Sequence, residues 1–167
     1  MSELMARMGE YAVSADRDDV LVGLGLGSCI GLALVDRRSN VAGLAHVVLS
    51  KGEPAAGDPP VKYAHIGVPY LLEQVVAQGA RKMRLEAVLV GGASMFVSKN
   101  GLEVGQRNEA AVREALEKLR IPVVAVDTGG KRGRTVRVYM ADGRVTSRLA
   151  GGPEELLLKP YAVGVAA

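Results

Sequence analysis

The chain has no tryptophan and one phenylalanine among its 167 residues. A core must therefore be built from Val, Leu, Ala, Ile and Met. It has one cysteine, Cys29, which excludes an intramolecular disulfide framework and fits a reduced compartment. Its two histidines, His46 and His65, share no ligand-like spacing with each other or with Cys29. No metal or other cofactor is expected, and His65 reads as a structural or solvated residue. No apolar run approaches the ~18 residues of a membrane helix. The opening MSELMARMGEYAVSAD lacks the basic start, apolar middle and cleavage site of a secretory signal. A cytoplasmic protein with no membrane insertion is expected. The net charge is +3, and basic residues do not interleave with aromatics, so no nucleic-acid partner is expected. A mild attraction to acidic protein surfaces fits that charge.

What is present is a hydrophobic fraction of 49% and 21 glycines, a composition that folds. The length suits one domain over residues 1–167. Val20–Leu26, Cys29–Val35 and Val41–Leu49 are apolar runs that read as strands. A loop rich in Gly, Pro and Asp follows over Lys51–Pro60. Val61–Gln78 is helical in pattern, with Val68, Leu71, Leu72, Val75 and Val76 on one face, Pro69 inside it and Gly79 as a stop. Met83–Val90 reads as a strand. Asn108 is the expected N-cap of a helix through Leu119. Pro122–Val126 reads as a buried strand, and Val136, Val138 and Met140 alternate with polar neighbours in a half-buried one. Asp142-Gly143 predicts a hairpin turn. The fold class is α/β: a layered sandwich with mixed, largely antiparallel sheets packed against helices.

A lone buried cysteine is usually a small hydrophobe, and a lone histidine in a strand usually a satisfied core residue. Together the two residues carry more. Cys29–Val35 and Val41–Leu49 form a hairpin around the turn residues Asp36–Asn40. A two-residue loop puts Cys29 directly opposite His46. A four-residue loop over Arg37–Asn40 puts Cys29 opposite Val48, with His46 its diagonal neighbour on the same face. A three-residue loop sends the two to opposite faces. Asn40, which tolerates unusual backbone angles, favours the even loops. An imidazolium beside a thiol stabilises the thiolate nucleophile, which places the expected reactivity limb below the free-thiol pKa of ~8.5. Gly25, Gly27 and Ser28 lie where a substrate approaches the backbone, and the amides here and at Cys29 are candidate oxyanion donors. GLGLGSC is not a dinucleotide fingerprint, because Ser28 or Ile30 stands where the third glycine belongs and a strand follows where a helix is needed.

These residues resemble a known family. GLGLGSCIGLALVD and GLAHVVLS, followed in order by KYAHIGVPYLLEQVVAQGA, VGGASMF, VGQRNEAAV and DTGGKRGRTV, are similar to the motifs of the CheD chemoreceptor glutamine deamidases. The resemblance runs from about Gly9 to Gly152. It implies a three-layered α/β fold related to deamidating toxin domains. It also implies hydrolysis of glutamine side chains on methyl-accepting chemoreceptors, with some capacity for methyl-ester hydrolysis. The implied nucleophile is Cys29 and the implied general base His46. Six residues before the cysteine, where the family has threonine, stands Gly23, whose backbone carbonyl is the expected substitute for the missing hydroxyl. Smaller departures are His65 in place of aspartate and Ser50 in place of proline. Family members also associate with a CheC-type phosphatase, so the alternative reading is a weakly active or inactive binding module that regulates such a partner and receptor signalling.

Overall fold

The computed structural model describes residues 1–95 and 103–161. Two five-stranded sheets stack face to face. The first is built, in spatial order, from β1 (Ser2–Met5), β3 (Asp19–Leu26), β8 (Arg134–Tyr139), β9 (Arg144–Leu149) and β10 (Glu154–Leu158). The second contains β2 (Tyr11–Ser14), β5 (Val41–Val47), β4 (Ile30–Asp36), β6 (Glu86–Gly91) and β7 (Val123–Thr128). Each sheet has one parallel pair, β1 with β3 and β6 with β7, and is otherwise antiparallel. Two helices, α1 (Ala64–Ala77) and α2 (Val104–Lys118), cover the outer face of the second sheet. The order helix, sheet, sheet makes three layers and two apolar interfaces.

Alternation along β4 and β5 fills both interfaces. Ile30, Leu32, Leu34, Ala45 and Val47 face the helices, where they meet Val68, Leu71, Val75, Val112 and Leu116. Cys29, Ala33, Val35, Ala42 and Leu44 face the other sheet, among Leu21, Leu26, Val136 and Val138. Strands buried on both sides read as continuous apolar runs rather than alternating ones. Each fully buried Leu or Val adds ~1.5–3 kcal/mol relative to exposure, so this central hairpin anchors both interfaces.

The hairpin has the four-residue loop. Asp36 pairs with Val41 and Gly31 with His46, while Asn40 takes the left-handed backbone that closes the turn (φ 55°). The Asp142-Gly143 turn also forms, with Tyr139 paired to Arg144 and Gly143 at φ 76°. Pro69 is accommodated inside α1. On the expected helical stripe, Val68, Leu71 and Val75 are buried, whereas Val76 is exposed.

Two expectations need correction. Asn108 is not an N-cap: α2 starts four residues earlier, behind Glu103, whose N–H donates to Gln106 Oε1 at 3.2 Å. A polar residue ahead of an apolar stripe looks like a cap, but Asn108 is inside the helix and buried. The run Pro122–Val126 is not a buried strand either. β7 is the edge of its sheet, and Val124 and Val126 are exposed.

Candidate active site

The chain crosses from the first sheet to the second over Gly27, Ser28 and Cys29, between the end of β3 and the start of β4. Cys29 is buried just before β4, and its side chain joins the apolar layer between the sheets. His46, opposite Gly31 in the register, is one step diagonal from Cys29 on the same face. Gly31 leaves the space between them to the other sheet: a Cβ there would lie 2.9 Å from Leu26 Cδ1 and 3.0 Å from Val136 Cγ1.

The imidazole is held from one side only. Its Nδ1 lies 3.0 Å from the carbonyl oxygen of Ala6, an acceptor that requires the ring to carry its proton on Nδ1. Nε2 is then an unprotonated base, and it is buried with no hydrogen-bond partner among the described residues. Ala6 reaches this position because β1 pairs in parallel with β3, and the Ala6 N–H donates to the Val22 carbonyl at 2.9 Å. Gly23, expected to offer its carbonyl to the ring, sits in β3 opposite Val136; the carbonyl on Nδ1 is that of Ala6.

Burial acts on both groups in the same sense. Loss of water pushes the Cys29 thiol above its ordinary value. The same loss pushes His46 down, with the Ala6 carbonyl and the charge of Glu10 pulling part of the way back. Two neutral groups therefore make up the resting pair, rather than the expected thiolate and imidazolium. Desolvation disfavours either charged form, and no hydrogen bond joins Cys29 to His46 among the described residues.

The crossing loop is fixed through its carbonyls. The Gly27 carbonyl accepts from the Ala93 N–H at 2.8 Å, and the Cys29 carbonyl from the Gly92 N–H at 2.9 Å. In a planar trans peptide the C=O and the next N–H point in opposite directions. Anchoring the Gly27 carbonyl thus turns the Ser28 N–H the other way. Among the described residues the amides of Ser28 and Cys29 form no hydrogen bond, while the Gly27 amide is taken by the Gly25 carbonyl at 3.0 Å. Of the expected oxyanion donors, Gly27 is thereby engaged and Ser28 and Cys29 are open. Gly25 has positive φ (64°) and lines an open cleft of about 300 Å³ with Gly133, Arg134, Thr135 and Arg148.

The sequence pattern did not reveal the parts behind the loop. Gly91 and Gly92 both have positive φ, and a Cβ on Gly91 would fall 2.2 Å from the Cys29 carbonyl oxygen. Only glycine lets the end of β6 approach this closely. Arg134, itself buried, donates to the carbonyls of Gly129 at 2.7 Å and Gly91 at 3.3 Å. These contacts explain VGGASMF and the start of the RTV segment as supports of the Cys29 loop; Phe96 of the first motif lies outside the described residues. His65 is exposed near the start of α1, edge-on to Tyr63.

The fold and this site define a layered α/β protein with a buried cysteine and histidine at one end of a central hairpin. Comparison with known sequences makes the class specific. The profile of the family described as "CheD chemotactic sensory transduction" matches residues 49–149. A protein of Thermotoga maritima named "Chemoreceptor glutamine deamidase CheD" is 43% identical, with 91% of this chain and 95% of its own length covered. That coverage is too wide to leave Cys29 or His46 outside it. Proteins of Methanococcus vannielii and Pyrococcus horikoshii, each named "Probable chemoreceptor glutamine deamidase CheD", are 40% identical over 87% and 89% of this chain and 94% and 93% of their own. The chain belongs to the CheD family.

Proposed function

We propose that this protein is a glutamine deamidase acting on chemoreceptors, with Cys29 as nucleophile and His46 as general base and acid. The observation that carries this reading is the buried Nε2 of His46, without a hydrogen-bond partner among the described residues, in the same inter-sheet layer as the buried thiol of Cys29. The names of the relatives supply the substrate class.

The chemistry starts from the neutral pair. As Cys29 Sγ attacks the carboxamide carbon of a glutamine side chain, the thiol proton passes to His46 Nε2, so neither ion forms alone in the buried site. The carbonyl oxygen becomes an oxyanion, and the open amides of Ser28 and Cys29 are its donors. The imidazolium returns the proton to the amide nitrogen, the C–N bond breaks and ammonia leaves a thioester. His46 then takes a proton from water, whose oxygen attacks the thioester. The C–S bond breaks, the thiol recovers its proton, and the product is glutamate. The Ala6 carbonyl keeps the ring in one tautomer through both halves.

A second reading draws on the same burial. A thiol that is 6% exposed and pushed above its ordinary value suits a binding module that regulates a CheC-type phosphatase. Mass spectrometry of a recombinant chemoreceptor cytoplasmic fragment separates the two. Under the deamidase reading the parent converts glutamine to glutamate and Cys29→Ala does not. Equal conversion by both, or by neither, contradicts it.

A further inference from the structure

Behind the crossing loop, on the helix side of the second sheet, lies a side chain that the mechanism above does not use. Asn108 is 1% exposed in the second turn of α2. Its Nδ2 donates to two carbonyls at once, that of Ser28 at 2.9 Å and that of Val48 at 2.9 Å. The first belongs to the residue before the candidate nucleophile. The second lies just past the end of β5, two residues beyond His46, at the level where the hairpin register would set a partner for Cys29. One primary amide thus ties together the ends of the two strands that carry Cys29 and His46. Both its protons are used, while Oδ1 is buried without a partner among the described residues. Leaving a buried amide oxygen unsatisfied costs ~1–3 kcal/mol, a cost set against the two carbonyls that Nδ2 satisfies. α2 comes close enough because Gly105, one turn earlier, has no side chain: a Cβ there would sit 2.5 Å from the Ala93 carbonyl oxygen.

The consequence follows from peptide geometry. The Ser28 carbonyl and the Cys29 N–H belong to one planar trans peptide and point in opposite directions. Holding the carbonyl toward Asn108 aims the Cys29 N–H away from α2, and that N–H is one of the two open amides of the loop. We propose that Asn108 is a positioning residue: through the Ser28 carbonyl it sets the direction of the Cys29 amide that receives the oxyanion. This rests on the deamidase reading and extends it to a residue that touches neither the substrate nor the thiol. It assigns to the VGQRNEAAV segment a part in catalysis, acting from the far side of the loop.

An oxyanion donor matters for attack on a carboxamide but not for alkylation of the same thiol, which displaces iodide from carbon and develops no oxyanion. The test compares the two reactions on the full chain. Deamidation of a recombinant chemoreceptor cytoplasmic fragment is followed by mass spectrometry, and Cys29 is alkylated with iodoacetamide. Asn108→Ala is expected to lower kcat by about ten- to a hundredfold, part of the ~10²–10³ that follows removal of a whole oxyanion donor. KM and the alkylation rate should stay within about twofold of the parent. Asn108→Ser, whose single hydroxyl can serve one carbonyl, should recover part of kcat and stands in if the alanine variant does not fold. Equal losses in kcat and alkylation, or an unchanged kcat, would overturn the proposal. Amide NMR reads the same orientation without activity: the Cys29 N–H resonance should move in either variant, and an unmoved resonance overturns the proposal. A parent that shows no Cys29-dependent deamidation overturns the deamidase reading instead, and the NMR arm still judges whether Asn108 sets the Cys29 amide.

Discussion

The two ends of the β4–β5 hairpin are built to opposite rules. At the turn end Asp36 has no exposed surface, and both of its carboxylate oxygens accept hydrogen bonds. The Arg81 N–H reaches it at 2.8 Å, the Ser39 N–H at 3.2 Å and the Arg84 guanidinium at 3.1 Å. Burial alone would raise its carboxyl, but Arg84 and the two amides hold it below its ordinary value. At the other end His46 Nε2 and Asn108 Oδ1 are buried without partners among the described residues, and the amides of Ser28 and Cys29 point away from the contacts that fix their loop. Buried polar groups are ordinarily satisfied, so exceptions call for an explanation. Of the three such side-chain atoms among the described residues, Arg134 Nε is ion-paired with Asp127 at 3.2 Å, and the other two lie at one end of the hairpin, whose other end has none. The satisfied end holds the register; under the deamidase reading, the open amides and His46 Nε2 at the other end are left for the substrate.

Substitutions can exchange the two outcomes. His46→Asn keeps a donor for the Ala6 carbonyl and removes Nε2. Deamidation should fall ~10²–10⁴-fold, the usual worth of a positioned acid–base group, with the urea midpoint little changed. Asp36→Ala should do the reverse. Losing charge-assisted hydrogen bonds of ~1.5–3 kcal/mol each, offset as the freed Arg84 regains water, should lower stability by ~2–3 kcal/mol, with activity per folded molecule retained. Rate loss in Asp36→Ala, or a stability collapse in His46→Asn, would remove the contrast.

Gly91→Ala sharpens the same point from behind the loop. Its φ of 114° and the 2.2 Å approach to the Cys29 carbonyl leave no room for a methyl group. A loss of ~1–3 kcal/mol is expected from backbone strain, and deamidation should fall as the loop moves. Thermal melts and rates measured together check this.

The pH dependence carries a defined sign. His46 is depressed in the folded state, so its contribution is complete above the ordinary value of 6.5 and is lost as pH falls below it. Cys29 is raised, so its contribution is complete below its ordinary value of 9.0 and is lost as pH rises above it. Stability from this pair should be flat between those values. Denaturation across pH should show the acid limb softened in His46→Asn and the alkaline limb softened in Cys29→Ala. Alkylation of Cys29 should have its limb above the free-thiol range.

The smallest effect is expected at Gly23. A Cβ there would meet Val136 Cγ1 at 3.0 Å, and the ring already has the Ala6 carbonyl. Gly23→Thr should therefore change the deamidation rate less than about twofold, short of the ~0.5–1.5 kcal/mol of one further hydrogen bond. A large gain measured in parallel assays would mean that Ala6 does not do the work of a hydroxyl.

Much of the site's frame was legible in the sequence. The apolar runs on either side of Asp36–Asn40 fixed the hairpin, and the tolerance of Asn40 for left-handed backbone favoured an even loop, which put Cys29 and His46 on one face. The third partner was not legible. Ala6 acts through a backbone carbonyl, which every residue has, and reaches the ring only through the parallel pairing of the short strand β1. Asn108 was misread because local pattern reports caps better than it reports buried amides. The charge state of the pair also depended on burial: proximity alone suggests an ion pair, whereas desolvation keeps both groups neutral.

The central claim is that a neutral thiol and imidazole at the open end of the hairpin carry the chemistry. Its most direct test is the time course of glutamine-to-glutamate conversion on a chemoreceptor cytoplasmic fragment, followed by mass spectrometry for the parent, Cys29→Ala and His46→Asn across pH. The parent should convert its substrate, Cys29→Ala should be silent, and His46→Asn should be slowed ~10²–10⁴-fold. Conversion that persists in Cys29→Ala, or that is indifferent to His46→Asn, contradicts the account.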